Sequence, residues 1–189
     1  MCWQTSGGLR HDAGVRAYKF LKQDETAPFT GFHWPAGEWV EVNGPLSWCM
    51  NGIHACRIAD LPHWIGQELW LMELAGEILA ADDSLVAQRA RLVEHIEAWS
   101  DGVAQEFGDS CARRAISLAA EAPSTAERAG DAVTAAANGL VAGSAYIAAA
   151  VAGEVAGGAR TGPRYERGFL SERSRQAGWI KDRLTLAEG

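Results

Sequence analysis

The spacing of apolar residues changes from every second position to every third or fourth near residue 95, and this change constrains the fold more than any other feature. Before it, short alternating runs predict strands. Residues 16–23 place Ala17, Lys19 and Leu21 on one face and Tyr18 and Phe20 on the other. Residues 38–42 alternate and stop at the turn signal Asn43-Gly44-Pro45, and Asn51-Gly52 precedes a short strand over residues 53–56. Asp60 followed by Leu61-Pro62 predicts a helix start, with aspartate as cap and proline in the first turn. Residues 68–74 set Leu69, Leu71 and Glu73 against Trp70, Met72 and Leu74, and Ala75-Gly76 is expected to end that strand. Residues 84–93 fit a strand or a helix and are read as a strand.

After the change, Ile96, Trp99, Val103, Phe107 and Cys111 form a helical stripe. Ser124 to Glu127, behind Pro123, has the form of a capping box that opens a second helix, closed by Asn138-Gly139. A third is expected over about 141–156, and a last over about 165–186 with Phe169, Leu170, Ala177, Ile180 and Leu184 inward. The class is α+β. A loose tail (1–15) precedes a small mixed sheet with one short helix (16–94), followed by three to four Ala-rich helices (95–189). Gly139-x3-Gly143 and Gly153-x3-Gly157 point to close helix packing, and they leave open a homodimer formed through these helices.

A hydrophobic share of 48% and a charged share of 22% describe a chain able to bury a core. A net charge of −7 argues against nucleic-acid and anionic-membrane partners, because phosphate binding draws on Lys and Arg. Residues 132–153 carry no charge, but alanine and glycine gain little in lipid, so buried helices are expected rather than a membrane span. The first eight residues lack the apolar run of a secretory signal. The four cysteines are therefore expected to be reduced thiols of a cytoplasmic protein.

Potential chemistry is densest at Cys49-x4-His54-x-Cys56-x6-His63. Two thiols and two imidazoles are the right kinds and number for zinc, although the spacing matches no familiar finger. The same residues allow nucleophilic chemistry, with Cys56 as nucleophile beside a helix start and His54 as base. The bland alternative is a buried small hydrophobe beside a hydrogen-bonded histidine. Five of the eight tryptophans lie between residues 34 and 70. Trp34 and Trp48, flanked by His33 and Cys49, are candidates to stack a planar ligand. Glu73, on a strand face with leucines, is an edge carboxylate or a functional one. No phosphate-binding loop, dinucleotide fingerprint or serine nucleophile motif is present.

Several of these runs are shared with known sequences. Ala17-Tyr18-Lys19-Phe20-Leu21, Cys49-x2-Gly52-Ile53-His54-Ala55-Cys56 and Leu69-Trp70-x2-Glu73-Leu74-Ala75-Gly76 resemble an uncharacterised actinobacterial protein family, as does the closing stretch from Glu172 to Leu184. The first half also resembles a bacterial and phage domain of unknown function with a Tyr-Lys start and a Cys-x2-Gly-Phe-His-x-Cys core, in which Ile53 replaces the phenylalanine. A fainter likeness to ADP-ribosyltransferase-like folds implies a site drawn from Tyr18, His54 and Glu73. The expectation is a small enzyme, or a ligand-binding protein derived from one, with transferase-like action on a planar or nucleotide-like small molecule. The alternatives are a structural zinc protein and a helical self-association module.

Overall fold

The computed structural model describes residues 9–48, 50–157 and 162–187. Backbone contacts divide the chain into two compact units, Met1–Glu97 with Ala187–Gly189, and Ala98–Leu186.

The first unit is an antiparallel sheet of β1 (Leu9–Leu21), β2 (Val40–Glu41), β3 (Ile53–Ala55), β4 (Glu68–Ala80) and β5 (Leu85–His95). Its order is β1-β4-β5-β2, with β3 also paired to β5. Among the described residues all pairs of strands are antiparallel, and an isolated bridge between Ala36 and Leu92 is parallel. Strand β1 opens at Leu9, so the described part of the expected loose tail is already strand, with Leu9 opposite Ile78. Its register breaks between His11 and Val15, where Gly14 lies under the Glu73 side chain.

Gly76 does not end β4. At φ +77° it forms a bulge, and pairing resumes with Ile78 opposite Ala87. The bulge lets β5 change parity, so that Leu85 and Ala87 before it and Ala90 and Leu92 after it all enter the core. They meet Ala17, Leu21, Trp34, Ile53, Ala55, Trp70, Met72 and Leu74 there. The short helix expected from Asp60 is a 3-10 turn over Ile58–His63. Asp60 sits inside this turn rather than at its cap, because its carboxylate accepts from the Arg57 backbone N–H (3.0 Å) and from the Arg57 guanidinium.

The second unit comprises α1 (Asp101–Ala119), α2 (Ala126–Ala137), α3 (Val141–Gly157) and α4 (Pro163–Leu184). The Ser100 hydroxyl caps α1 by accepting from the Val103 N–H (3.3 Å). The expected capping box before α2 is absent. Residues 123–125 form a 3-10 turn, and the Thr125 hydroxyl donates back to the Ala122 carbonyl (2.8 Å).

Helix α3 is apolar on every side because it packs against the other three helices, burying Ser144, Ala145 and the run 148–153. The Gly153-x3-Gly157 part of the small-residue stripe packs against α4, whereas Gly139 is exposed in the turn before α3. A Cβ on Gly153 would meet the Tyr165 ring at 2.7 Å, and one on Gly168 would meet the Ala152 carbonyl oxygen at 2.5 Å. No helix among the described residues is long and apolar enough to cross a membrane.

On α4 the buried stripe carries Glu172, Arg173, Gln176, Ala177, Ile180 and Leu184. Leu170, expected inward, is 49% exposed because it lies one residue past the stripe that runs through Phe169 to Arg173. Two of the buried polar side chains, Gln176 and Glu172, are hydrogen-bonded within the unit. Gln176 Nε2 donates to the Ala145 carbonyl (2.8 Å), and Glu172 accepts from Arg175 Nε (2.8 Å) and Arg114 Nε (3.3 Å).

The close α3–α4 crossing makes a paired prediction. Gly168→Ala should destabilise the protein by about 1–3 kcal/mol, since the methyl group meets backbone. Gly130→Ala, which meets nothing within 4 Å inside α2, should be neutral or stabilising by up to about 1 kcal/mol. Denaturant unfolding of both variants checks this, and equal effects would contradict the packing.

Candidate ligand-binding site

Strand β3 is too short to hold itself in place, so its position is fixed from both ends. It pairs with β5 at Ile53–Ala87, His54–Val86 and Ala55–Leu85. One residue later the chain crosses to β1: the Tyr18 N–H donates to the Cys56 carbonyl (2.8 Å), and the Cys56 N–H donates to the Tyr18 carbonyl (2.7 Å). Because β1 pairs with β4 and β4 with β5, this exchange returns the sheet upon itself. Just beyond, the Arg57 guanidinium holds Asp60 and donates to the Ala81 (2.7 Å) and Asp82 (3.0 Å) carbonyls. Trp64 Nε1 donates to the Asp83 carbonyl (2.8 Å). The turn joining β4 to β5 is thereby tied to the segment that closes the sheet.

The closure leaves a lysine half-buried beside the core. Lys19 lies between Ala17 and Leu21 on the core-facing side of β1. The His54 carbonyl points toward β1 by the same alternation as that of Cys56, and it accepts from Lys19 Nζ (2.6 Å). The ammonium also stands over the Trp34 ring, 5.6 Å from its centroid. Among the described residues no carboxylate pairs with it. Burial therefore acts almost unopposed and lowers the ammonium to about 8, with the nearby Cys56 as a weaker contrary influence.

Trp34 is the second unusual group. The segment after β1 brings it into the core by folding on itself, with the Ala27 N–H on the Phe32 carbonyl (2.8 Å) and the Trp34 N–H on the Glu25 carbonyl (3.0 Å). The Glu68 carboxylate fastens this segment to β4 by accepting from the Asp24 and Glu25 N–H groups and from Trp70 Nε1. Phe32 meets the Trp34 ring edge-on at 5.4 Å. Trp34 is 4% exposed, and its Nε1 has no hydrogen-bond partner among the described residues. A buried N–H left unpaired costs about 1–3 kcal/mol, so an acceptor for it is expected.

The residues singled out by sequence are spread over this frame. Cys49 lies outside the described residues. Cys56 is sealed at 5% exposure, and burial pushes its thiol up to about 12, well above where a nucleophilic thiolate forms. His54 is half-buried on the face of β3 opposite the core residues Ile53 and Ala55, and burial together with Lys19 lowers its imidazole. Tyr18, on the other face from Lys19, donates its hydroxyl to the Ala187 carbonyl (2.8 Å).

Glu73 covers Gly14 and accepts from Arg91 Nε (2.8 Å), and Arg91 in turn lies 5.0 Å from the Trp39 ring centroid. His33 is exposed in the bridge with Thr26, Trp48 is half-buried in the turn that Ser47 and Asn51 close, and His63 ends the 3-10 turn. No group of three His, Cys, Asp or Glu side chains converges to hold a metal among the described residues. The sequence set Lys19 on one face with Ala17 and Leu21 but neither identified that face as the core side nor singled out Lys19 as functional. A lysine flanked at i±2 by apolar residues in a half-buried strand is the signal that singles it out.

The lowered Lys19 has a defined linkage. Below pH about 8 the amine is charged in both states, and the folded protein bears the full cost of enclosing it. From about 8 to about 10.5 the folded protein has lost the proton while the unfolded chain still binds one, so stability rises with pH. Cys56 and Cys111, both pushed up to about 12, act in the opposite sense above pH about 9. Comparison with Lys19→Met isolates the lysine. The stability of the natural protein relative to this variant should improve by on the order of 1–2 kcal/mol between pH 7 and 9.5. A pH-independent difference in chemical denaturation would contradict an enclosed ammonium.

No curated protein and no solved structure matches this chain. Residues 15–101, which begin beside the β1 bulge and run through the sheet to the first residue of α1, match a family described as a domain of unknown function (DUF7666).

Proposed function

We propose that the sheet unit binds a small planar molecule bearing an anionic acceptor, with that acceptor set against Lys19 Nζ and Trp34 Nε1. One observation carries this reading: on the core side of a closed sheet, Lys19 Nζ and the Trp34 ring over which it stands keep donor capacity unspent among the described residues. Lys19 uses one of its three N–H donors on the His54 carbonyl, and Trp34 uses none. A carboxylate or phosphate satisfies both, and it returns to the enclosed ammonium the counter-charge that the protein's own side chains withhold. The aromatic rings of Trp34 and Phe32 favour a flat partner. Transferase-like chemistry on a nucleotide-like substrate, in this geometry, would run through Lys19 rather than through the sealed Cys56 thiol.

Calorimetric titration with benzoate, nicotinate and phenyl phosphate, against benzyl alcohol as the neutral counterpart, tests the reading. At least one anion should bind more tightly than the alcohol. Lys19→Met should weaken it by about tenfold or more, and Trp34→Phe, which keeps a ring but loses the N–H, by several-fold. Anions that bind no better than benzyl alcohol, or whose binding is indifferent to Lys19→Met, would overturn it.

A further inference from the structure

We propose that Lys19 is a nucleophilic amine that captures a planar anionic aldehyde as a Schiff base inside the closed sheet; this rests on the ligand site proposed above. An ammonium paired with a carboxylate stays protonated and inert. Lys19 differs in its surroundings: its hydrogen-bond partner is a backbone carbonyl, which can accept from a neutral amine as well as from an ammonium. The apolar core residues Ala17 and Leu21, which flank it on β1, favour the uncharged form, and the cation–π contact with the Trp34 ring opposes them. The unspent Trp34 N–H supplies what the reaction needs next, a donor for an oxygen that gains negative charge when the amine adds.

The other buried reactive groups lack this combination. Cys56 and Cys111 are sealed as thiols, and the Glu172 carboxylate is spent on Arg114 and Arg175.

The step balances without any further reactant. The Nζ lone pair forms a bond to the aldehyde carbon as the C=O π pair moves to oxygen, and proton transfer from nitrogen to that oxygen gives the carbinolamine. Loss of its hydroxyl with the second amine proton releases one water and leaves the C=N bond. Added cyanoborohydride delivers hydride to the imine carbon and fixes the adduct as a secondary amine.

The sequence provides its own controls, because its lysines are Lys19, Lys22 and Lys181. The full chain is treated with 4-formylbenzoate and cyanoborohydride near neutral pH, and the modified lysines are located by peptide mass mapping. Labelling at Lys19 should exceed that at exposed Lys22 by about tenfold or more, and excess benzoate should suppress it. Lys19→Arg, which keeps a positive charge but has no nucleophilic amine, should lose the dominant adduct. If benzoate binds through Lys19 but labelling is equal among the lysines, the Schiff-base inference falls while the ligand site stands. If benzoate neither binds nor protects, both fall. The natural protein alone decides between these outcomes, whatever the stability of the variant.

Discussion

Two hydrogen bonds, exchanged between Tyr18 and Cys56, make the difference between an open sheet and one that encloses an interior. An open five-stranded sheet of this size would have β1 as a free edge, with Lys19 able to extend into water. With the edge closed, Lys19 shares its side of β1 with Ala17 and Leu21, and its amine turns to the nearest carbonyl. The Arg57–Asp60 pair and the Trp64 bond to Asp83 then appear as supports for that closure, since each ties the chain leaving β3 to the turn between β4 and β5. Only the Asp60 carboxylate of this pair is buried, so losing the exposed Arg57 would leave it stranded.

The cost of the arrangement is concentrated at two side chains. An enclosed ammonium without a carboxylate and an indole N–H without an acceptor both oppose folding. A chain selected only for stability could place leucine and phenylalanine there. Local departures of this kind, in an otherwise consistent core, are where function is most economically sought. In the helical unit Glu172 and Gln176 are buried, and their side chains hydrogen-bond within the unit.

Much of the architecture is legible in the sequence because alternation and helical spacing report which face is buried. The buried face of residues 70–74 follows directly from period two, as do Val103, Phe107 and Cys111 from the helical stripe, whereas residues 17–21 alternate but bury Tyr18 and Phe20 as well as Ala17 and Leu21. The misses have local physical causes. Gly76 reads as a stop, yet at positive φ it bulges a strand that continues. Asp60 reads as a cap, yet a neighbouring guanidinium claims it. The site was legible only in part. Cysteines and histidines attract notice by residue type, but strand pairing decides which of them has access to anything, and it seals Cys56. Lys19 looks ordinary in sequence, and only the long-range crossing from β3 to β1 makes its position unusual.

Closure of the sheet is the claim on which the site depends, and native-state hydrogen exchange of the Tyr18 and Cys56 amides measures it directly. The account predicts that both exchange as slowly as the amides of the β4–β5 ladder, because they open only with the sheet. Exchange at the rate of exposed loop amides would show that β1 is a free edge, and Lys19 would then be an ordinary solvated lysine.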